Sequence, residues 1–144
     1  MKPSQWVYDT IKRCEGLRLK PYRCPAGKWT VGYGHTRRVD PWQVITGDKA
    51  NELLQEDIEV SVAIVNNVVT VDITQGQFDA CVDFVFNLGC ENFHESTLLK
   101  LINSKLFRSA SDEFLKWNHC AGMVLDGLTI RREEEKERFL MTED

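Results

Sequence analysis

The 144-residue sequence lacks any apolar run long enough to cross a membrane. Its longest, such as 62–65, are a few residues against the ~20 that a span requires. The opening MKPSQWVYDTIKRCEG has no apolar signal core, so synthesis and accumulation in the cytoplasm, without membrane insertion, are expected. A basic stripe is missing too. With 18 Lys and Arg mixed among 22 Asp and Glu, and a formal charge of −4, the chain offers no track for nucleic acid. No linker, repeat or low-complexity tract interrupts it, and the length suits one compact domain burying roughly 70% of its unfolded surface. The 5 cysteines include no C-x-x-C pair and no Cys/His ligand spacing, which argues against a disulfide framework and a structural zinc site. They read as reduced thiols, Cys81 and Cys120 as small core residues. A Cys14–Cys24 or Cys24–Cys90 bridge stays open, and either would take Cys24 out of chemistry. Neither metal nor cofactor is implied.

What the chain does have is concentrated between Cys14 and Thr36, CEGLRLKPYRCPAGKWTVGYGHT. Gly27, Gly32 and Gly34 stand among Trp29, Val31 and Tyr33, a pattern of short strands and tight turns. Glu15, Cys24, Thr30 and His35 follow at intervals that a helix end and a small β-hairpin bring onto one wall, a candidate active site. Upstream, Ser4 can cap a helix with apolar positions Val7, Tyr8, Ile11 and Cys14, stopped by Gly16. Glu15 then lies at the negative end of the helix dipole, where negative charge is disfavoured and a proton donor is suited. Pro21 and Pro25 keep Lys20 and Cys24 extended, so Cys24 belongs to a loop.

The remainder reads as helices. Thr46, with Asp48 in the first turn, starts a long one to about Asn66, with a stripe of Ala50, Leu53, Leu54, Ile58, Val62 and Val65. Asp57 interrupts that stripe and needs a cationic or donor partner. Thr74 and Gln77 form a capping box before a helix that is apolar nearly all round and ends at Gly89, expected to be the buried centre of a helical lobe. Asn87 near its end suits capping as well as ligand contact. Segments around Phe93–Ile102 and Phe107–Trp117 give one further short helix each, with Phe114 and Trp117 as core. His94 and His119 belong to the surface. In the last helix, Leu128–Leu140, Arg131 and Glu135 share a face with Leu128 and Phe139, so Arg131 needs an acid or must reach water. Arg132–Arg138 otherwise reads as an exposed, mixed-charge face.

The run from Glu15 to Thr36, E-G-L-R-L-K-x-Y-x-C-x-x-x-x-x-T-x-G-x-G-H-T, resembles the active-site segment of the phage-type lysozymes, the muramidase endolysins. Weaker matches at Phe86-Asn87-Leu88-Gly89 and at G-L-x-x-R-R-x-x-E from Gly127 extend the resemblance to most of the chain. It implies a catalytic set of Glu15, Cys24 and Thr30. Cys24 departs from the commoner carboxylate. It also implies a His35–Asp57 pair supporting the site, a sugar contact by Asn87, and an Arg131 that reaches back to the catalytic Glu.

The expected fold is α+β and lysozyme-like, a single domain over residues 1–144. A small lobe with the hairpin, about 1–60, a long connecting helix and a larger helical lobe, about 61–144, make it up. The implied function is hydrolysis of the β-1,4 bond after N-acetylmuramic acid in peptidoglycan, with inversion. The enzyme would be a monomer that depends on a separate pore-forming protein to reach the wall. Without a second carboxylate, a lytic transglycosylase reaction on the same bond and a non-catalytic wall-binding protein remain open.

Overall fold

The computed structural model describes residues 1–142. In chain order the elements are α1 (Gln5–Glu15), β1 (Arg18–Arg23), β2 (Trp29–Gly32), α2 (Gly47–Val68), α3 (Gln75–Leu88), α4 (Cys90–Glu95), α5 (Thr97–Asn103) and α6 (Phe107–Glu113). A 3-10 turn at Phe114–Lys116, then β3 (His119–Cys120), β4 (Met123–Val124) and α7 (Asp126–Leu140) complete the described chain. β1 pairs with β2 and β3 with β4, each antiparallel. The architecture is the α+β one the sequence implies. The chain forms two compact units, Tyr8–Val60, and Met1–Val7 together with the residues from Ser61 onward.

In the unit Tyr8–Val60, α1 ends where Gly16 takes a left-handed φ of 69°, a conformation that a side chain disfavours. The β1–β2 register slips between Arg18 and Tyr22, where Pro21 can offer no amide to the ladder. Thr46 starts α2 as expected, its hydroxyl accepting the Lys49 amide at 3.1 Å. Ala50, Leu54 and Ile58 of its stripe are buried with Ile11 and Val31. Asp57 has the partner its position requires: Oδ2 lies 2.8 Å from His35 Nδ1, and Oδ1 accepts from Arg37 Nη2 at 3.0 Å. The Arg37 contact has no counterpart in the sequence reading.

The second unit is built on α3. Thr74 and Gln77 close the capping box, and Gly89 ends the helix. The ring of Phe84 meets Phe93, Phe114 and Trp117 at centroid distances of 5.8, 5.8 and 5.4 Å, the aromatic core expected. Against this apolar pattern, Asp79 and Asp83 are fully buried on the same helix, one turn apart. Their partners come from α7. Asp83 takes Arg131 in a fork, Nε at 3.0 Å and Nη2 at 2.9 Å. Asp79 takes Nη2 of Arg138 at 2.8 Å and also the Ser4 amide at 3.0 Å and the Ser4 hydroxyl, which ties the start of α1 to α3. Ser4 still caps α1, accepting the Trp6 amide at 3.3 Å. α3 and α7 approach so closely that a Cβ on Gly76 would lie 2.3 Å from the Arg138 carbonyl oxygen.

A third buried pair, Arg132 with Glu135, sits beside Asp83. Arg132 Nη2 donates to Glu135 Oε2 at 2.8 Å. Nε and Oε1 are 2.6 Å apart, yet neither has an aligned hydrogen bond. Burial raises the Glu135 carboxyl well above its ordinary range, and the hydrogen bond and charge of Asp83 raise it further against the pull of both guanidiniums. Burial pushes Asp83 up as well, but its hydrogen bond with Glu135 and the charges of Arg131 and Arg132 outweigh that and lower it.

Several expectations are corrected. Arg132 is fully buried and Arg138 is mostly so, because buried acids draw both inward; the exposed-face reading of Arg132–Arg138 fails there. Cys120 is exposed on β3 and Cys14 on α1, whereas Cys81 is buried, and all five cysteines are free thiols. The stretch around Phe93–Ile102 forms two helices, α4 and α5, because Ser96 breaks the run and caps α5 by accepting the Leu99 amide at 3.0 Å. α7 begins at Asp126 rather than Leu128, and the short β3–β4 hairpin was not anticipated.

Two measurements check these charges. Asp57→Ala should lower the unfolding free energy by about 3 kcal/mol, the cost of leaving the buried His35 ring nitrogen without its partner; a change within ~0.5 kcal/mol, typical of the surface, would show the carboxylate to be solvated. Folded Glu135 keeps its proton above the ~4.3 at which the unfolded chain loses it, so the folded state binds the extra proton and stability falls as pH rises from there towards the raised folded value. Asp83, being lowered, contributes stability above ~3.9 that is lost only in stronger acid. Glu135→Gln should therefore flatten the decline of the urea midpoint as pH rises above ~4.3. Parallel pH curves for the variant and its parent would contradict a retained proton.

Candidate active site

Glu15 is the last residue of α1 and is half-buried. The backbone after β2 comes directly against it: a Cβ on Gly34 would lie 2.6 Å from Glu15 Oε1. Gly34 also has φ 75°, so space and conformation both require a residue without a side chain. The turn that carries Gly34 is closed by paired backbone bonds between Val31 and His35, 2.9 Å each way. It is fixed on one side by His35 on Asp57. On another, Lys12 Nζ of α1 lies 5.5 Å from the centre of the Tyr33 ring. Asp57, His35, Gly34 and Glu15 thus form one chain of constraints ending at the carboxyl.

Cys24 follows β1 directly, in a turn closed by its own amide on the Lys28 carbonyl (2.9 Å) and the Gly27 amide on its carbonyl (2.8 Å). The Lys28 amide draws the thiol below its ordinary range, against partial burial, with the Ala26 amide and the Thr30 side chain adding to it. Thr30 is buried on β2 opposite Tyr22, its hydroxyl donating to the Lys28 carbonyl at 3.0 Å. Its position beside the Cys24 sulfur pairs the two groups that the sequence placed together. The contribution of the turn amides carries no sequence signal beyond Pro25 and Gly27, which shape the turn.

Glu15, Cys24, Thr30, His35 and Asp57 all belong to the unit Tyr8–Val60, and Asn87 and Arg131 to the other. Asn87 is not a cap: its Oδ1 accepts from Arg132 Nη2 at 2.9 Å. Arg131 is buried and forked onto Asp83, an acid that sequence reasoning missed. The signal was present, since a charge in so apolar a helix requires a partner. Among the described residues, no three His, Cys, Asp or Glu side chains come together to hold a metal ion. No described helix is long and apolar enough to cross a membrane.

The chain is similar to known proteins along most of its length. It is 46% identical over 133 residues to the endolysin of Acyrthosiphon pisum secondary endosymbiont phage 1, covering 90% of this chain and 91% of that one. It is 45% identical over 146 residues to the endolysin of Bacillus phage B103, covering 99% of this chain but 56% of that protein. Among solved structures, the muramidase domain of SpmX from Asticaccaulis excentricus superposes with a TM-score of 0.89 at 38% identity, over 97% of this chain and 98% of that one. Residues 12–135 match the family described as Phage lysozyme, a span that contains every candidate residue from Glu15 to Arg131, and the chain therefore belongs to the phage lysozyme family.

Proposed function

We propose that the chain is an endolysin, a glycoside hydrolase that cleaves the β-1,4 bond between N-acetylmuramic acid and N-acetylglucosamine in peptidoglycan and so lyses the bacterial host. The observation that carries this reading is the hairpin. It opens a place for the Glu15 carboxyl against Gly34 and pairs Cys24 with Thr30 under the turn amides. Glu15 gives its proton to the glycosidic oxygen as the bond to the anomeric carbon breaks. Water held by the Thr30 hydroxyl and the Cys24 thiolate attacks that carbon from the opposite face and passes its proton to the thiolate. The product is inverted. Asn87 contacts a sugar, and His35, Asp57 and Arg131 support the site. No cofactor takes part. The enzyme acts as a monomer, made in the host cytoplasm and admitted to the wall by a separate pore-forming protein.

Hydrolysis is read from the masses of the products, and inversion from the anomeric configuration of the new reducing end, followed by NMR before it mutarotates. Mass spectrometry of digested muropeptides should show hydrated reducing ends, and 1,6-anhydro ends would assign the reaction to a lytic transglycosylase. Glu15→Gln should remove nearly all release of reducing ends at an unchanged melting temperature, and substantial residual lysis by a folded variant would rule out Glu15 as the acid. A non-catalytic wall-binding protein would release none even in the parent.

The thiol gives a second test. A free thiol near ~8.5 is mostly neutral at pH 7, whereas an aspartate is ionised. The lowering of Cys24 moves its ionisation towards neutrality without making it an Asp. Lysis by the parent should therefore rise with pH as the thiol ionises. Cys24→Asp should keep activity and extend it towards acid, Cys24→Ser should lose most of it, and thiol-blocking reagents should inhibit the parent. Equal activity of Cys24→Ser and the parent across pH would show that the thiolate takes no part.

A further inference from the structure

The unit Tyr8–Val60 carries a concavity of about 530 Å³ between the segment after the hairpin and the first turns of α2. Its lining is largely cationic: Arg37, Arg38 and Lys49 line it with His35, Gln43, Ile45 and Leu53, and Glu56 is the one acid that lines it among the described residues. Arg37 and Arg38 are neighbours in the chain and the fold brings Lys49 of α2 to them, on a chain whose formal charge is −4. Arg37 spends one edge of its guanidinium on Asp57 and is still more than half exposed. Lys49 has only a loose, exposed contact with Glu52 at 3.6 Å. Arg38 has no ion-pair partner among the described residues and sits at a left-handed φ of 52°, a conformation uncommon for a residue with a side chain.

Next to the pocket stands Trp42, 91% exposed, with Val44 at 61%. The indole is not on a loose loop. Asp40 accepts the Trp42 amide on Oδ1 at 3.0 Å and the Gln43 amide on its carbonyl at 3.2 Å, an Asx turn that presents the ring on a fixed base. A rigid exposed aromatic face suits the apolar face of a sugar ring, and a fork of Arg and Lys suits carboxylates.

We propose that the Trp42 turn and the Arg37–Arg38–Lys49 pocket form an accessory, non-catalytic site for the carboxylate-bearing glycan strand of peptidoglycan. The indole stacks on a sugar, and the cations take the carboxylates of the attached peptides. The inference rests on the muramidase reading for the identity of the polymer. Its physical logic is charge: an acidic protein meets an acidic, insoluble polymer, and a local cationic contact offsets the repulsion and holds the chain on the strand between cleavages.

The test uses the full chain carrying Glu15→Gln, so that the wall survives, pelleted with three substrates: intact peptidoglycan, peptidoglycan whose carboxylates have been converted to neutral amides, and intact wall that retains its phosphate polymers. Adding Trp42→Ala, or Arg38→Gln with Lys49→Gln, should weaken pelleting with intact peptidoglycan about tenfold, a modest share of the gain that a second linked contact supplies. Amidated peptidoglycan should bind the Glu15→Gln protein as weakly as the Arg38→Gln/Lys49→Gln pair binds the intact polymer, and that pair should not weaken it further. All three side chains are exposed, so melting temperatures should match the parent's. Pelleting of the variants equal to the parent's, or affinity that follows the phosphate polymers instead of the peptides, would overturn the proposal. Release of reducing ends by the protein without Glu15→Gln is scored separately. Its absence would sink the muramidase reading, whereas normal release with unaltered pelleting would sink only the accessory site.

Discussion

Two aspartates buried on one apolar helix impose the central constraint on the unit that contains α3. A buried carboxylate without a partner costs several kcal/mol, so Asp79 and Asp83 can be tolerated only where α7 brings Arg138 and Arg131 to them. Those two contacts fix the register of α7 along α3, and Gly76 lets the backbones close to the distance the pairs need. Asp79 then recruits the start of α1 through Ser4, while Arg132 and Glu135 fill the space beside Asp83. Apolar side chains of the same volume could give comparable stability. What the charges add is one permitted alignment, and with it the placement of Arg131 and of Arg132 beneath Asn87.

The other unit positions its reactive groups chiefly with backbone. Glu15 is held by the approach of Gly34, which follows from the Val31–His35 closure and the Asp57 anchor. Cys24 is tuned by peptide N–H groups of its own turn. Main-chain dipoles need no side-chain ordering at the moment of reaction, the condition under which electrostatic stabilisation is most effective. A thiol in this setting gains part of the charge that a carboxylate has outright, and in the proposed mechanism that links activity to pH and to redox state.

The family assignment and the surface of the same unit bear on one problem. The proposed reaction asks for a carboxyl and a thiolate near an anionic substrate, and the chain as a whole is acidic. Arg37 and Arg38 follow directly on the run that carries the candidate residues, and His35 lines the same pocket; in the proposed accessory role these cations act on the polymer and not on the bond being cleaved.

The sequence by itself determined the local features: the caps at Ser4, Thr46 and Thr74, the stop at Gly16, the hairpin, and the inward position of Asp57, because each depends on residues within one or two turns of one another. The catalytic candidates were legible for the same reason, all lying in one short run. Tertiary structure alone decided where charges separated by tens of residues would meet. Asp79 and Asp83 found Arg138 and Arg131, Arg132 went inward instead of outward, Cys120 went outward instead of inward, and Arg37 joined His35 on Asp57. Periodicity assigns a face to a helix but not a partner to a buried charge, and the partner is what makes burial of that charge affordable.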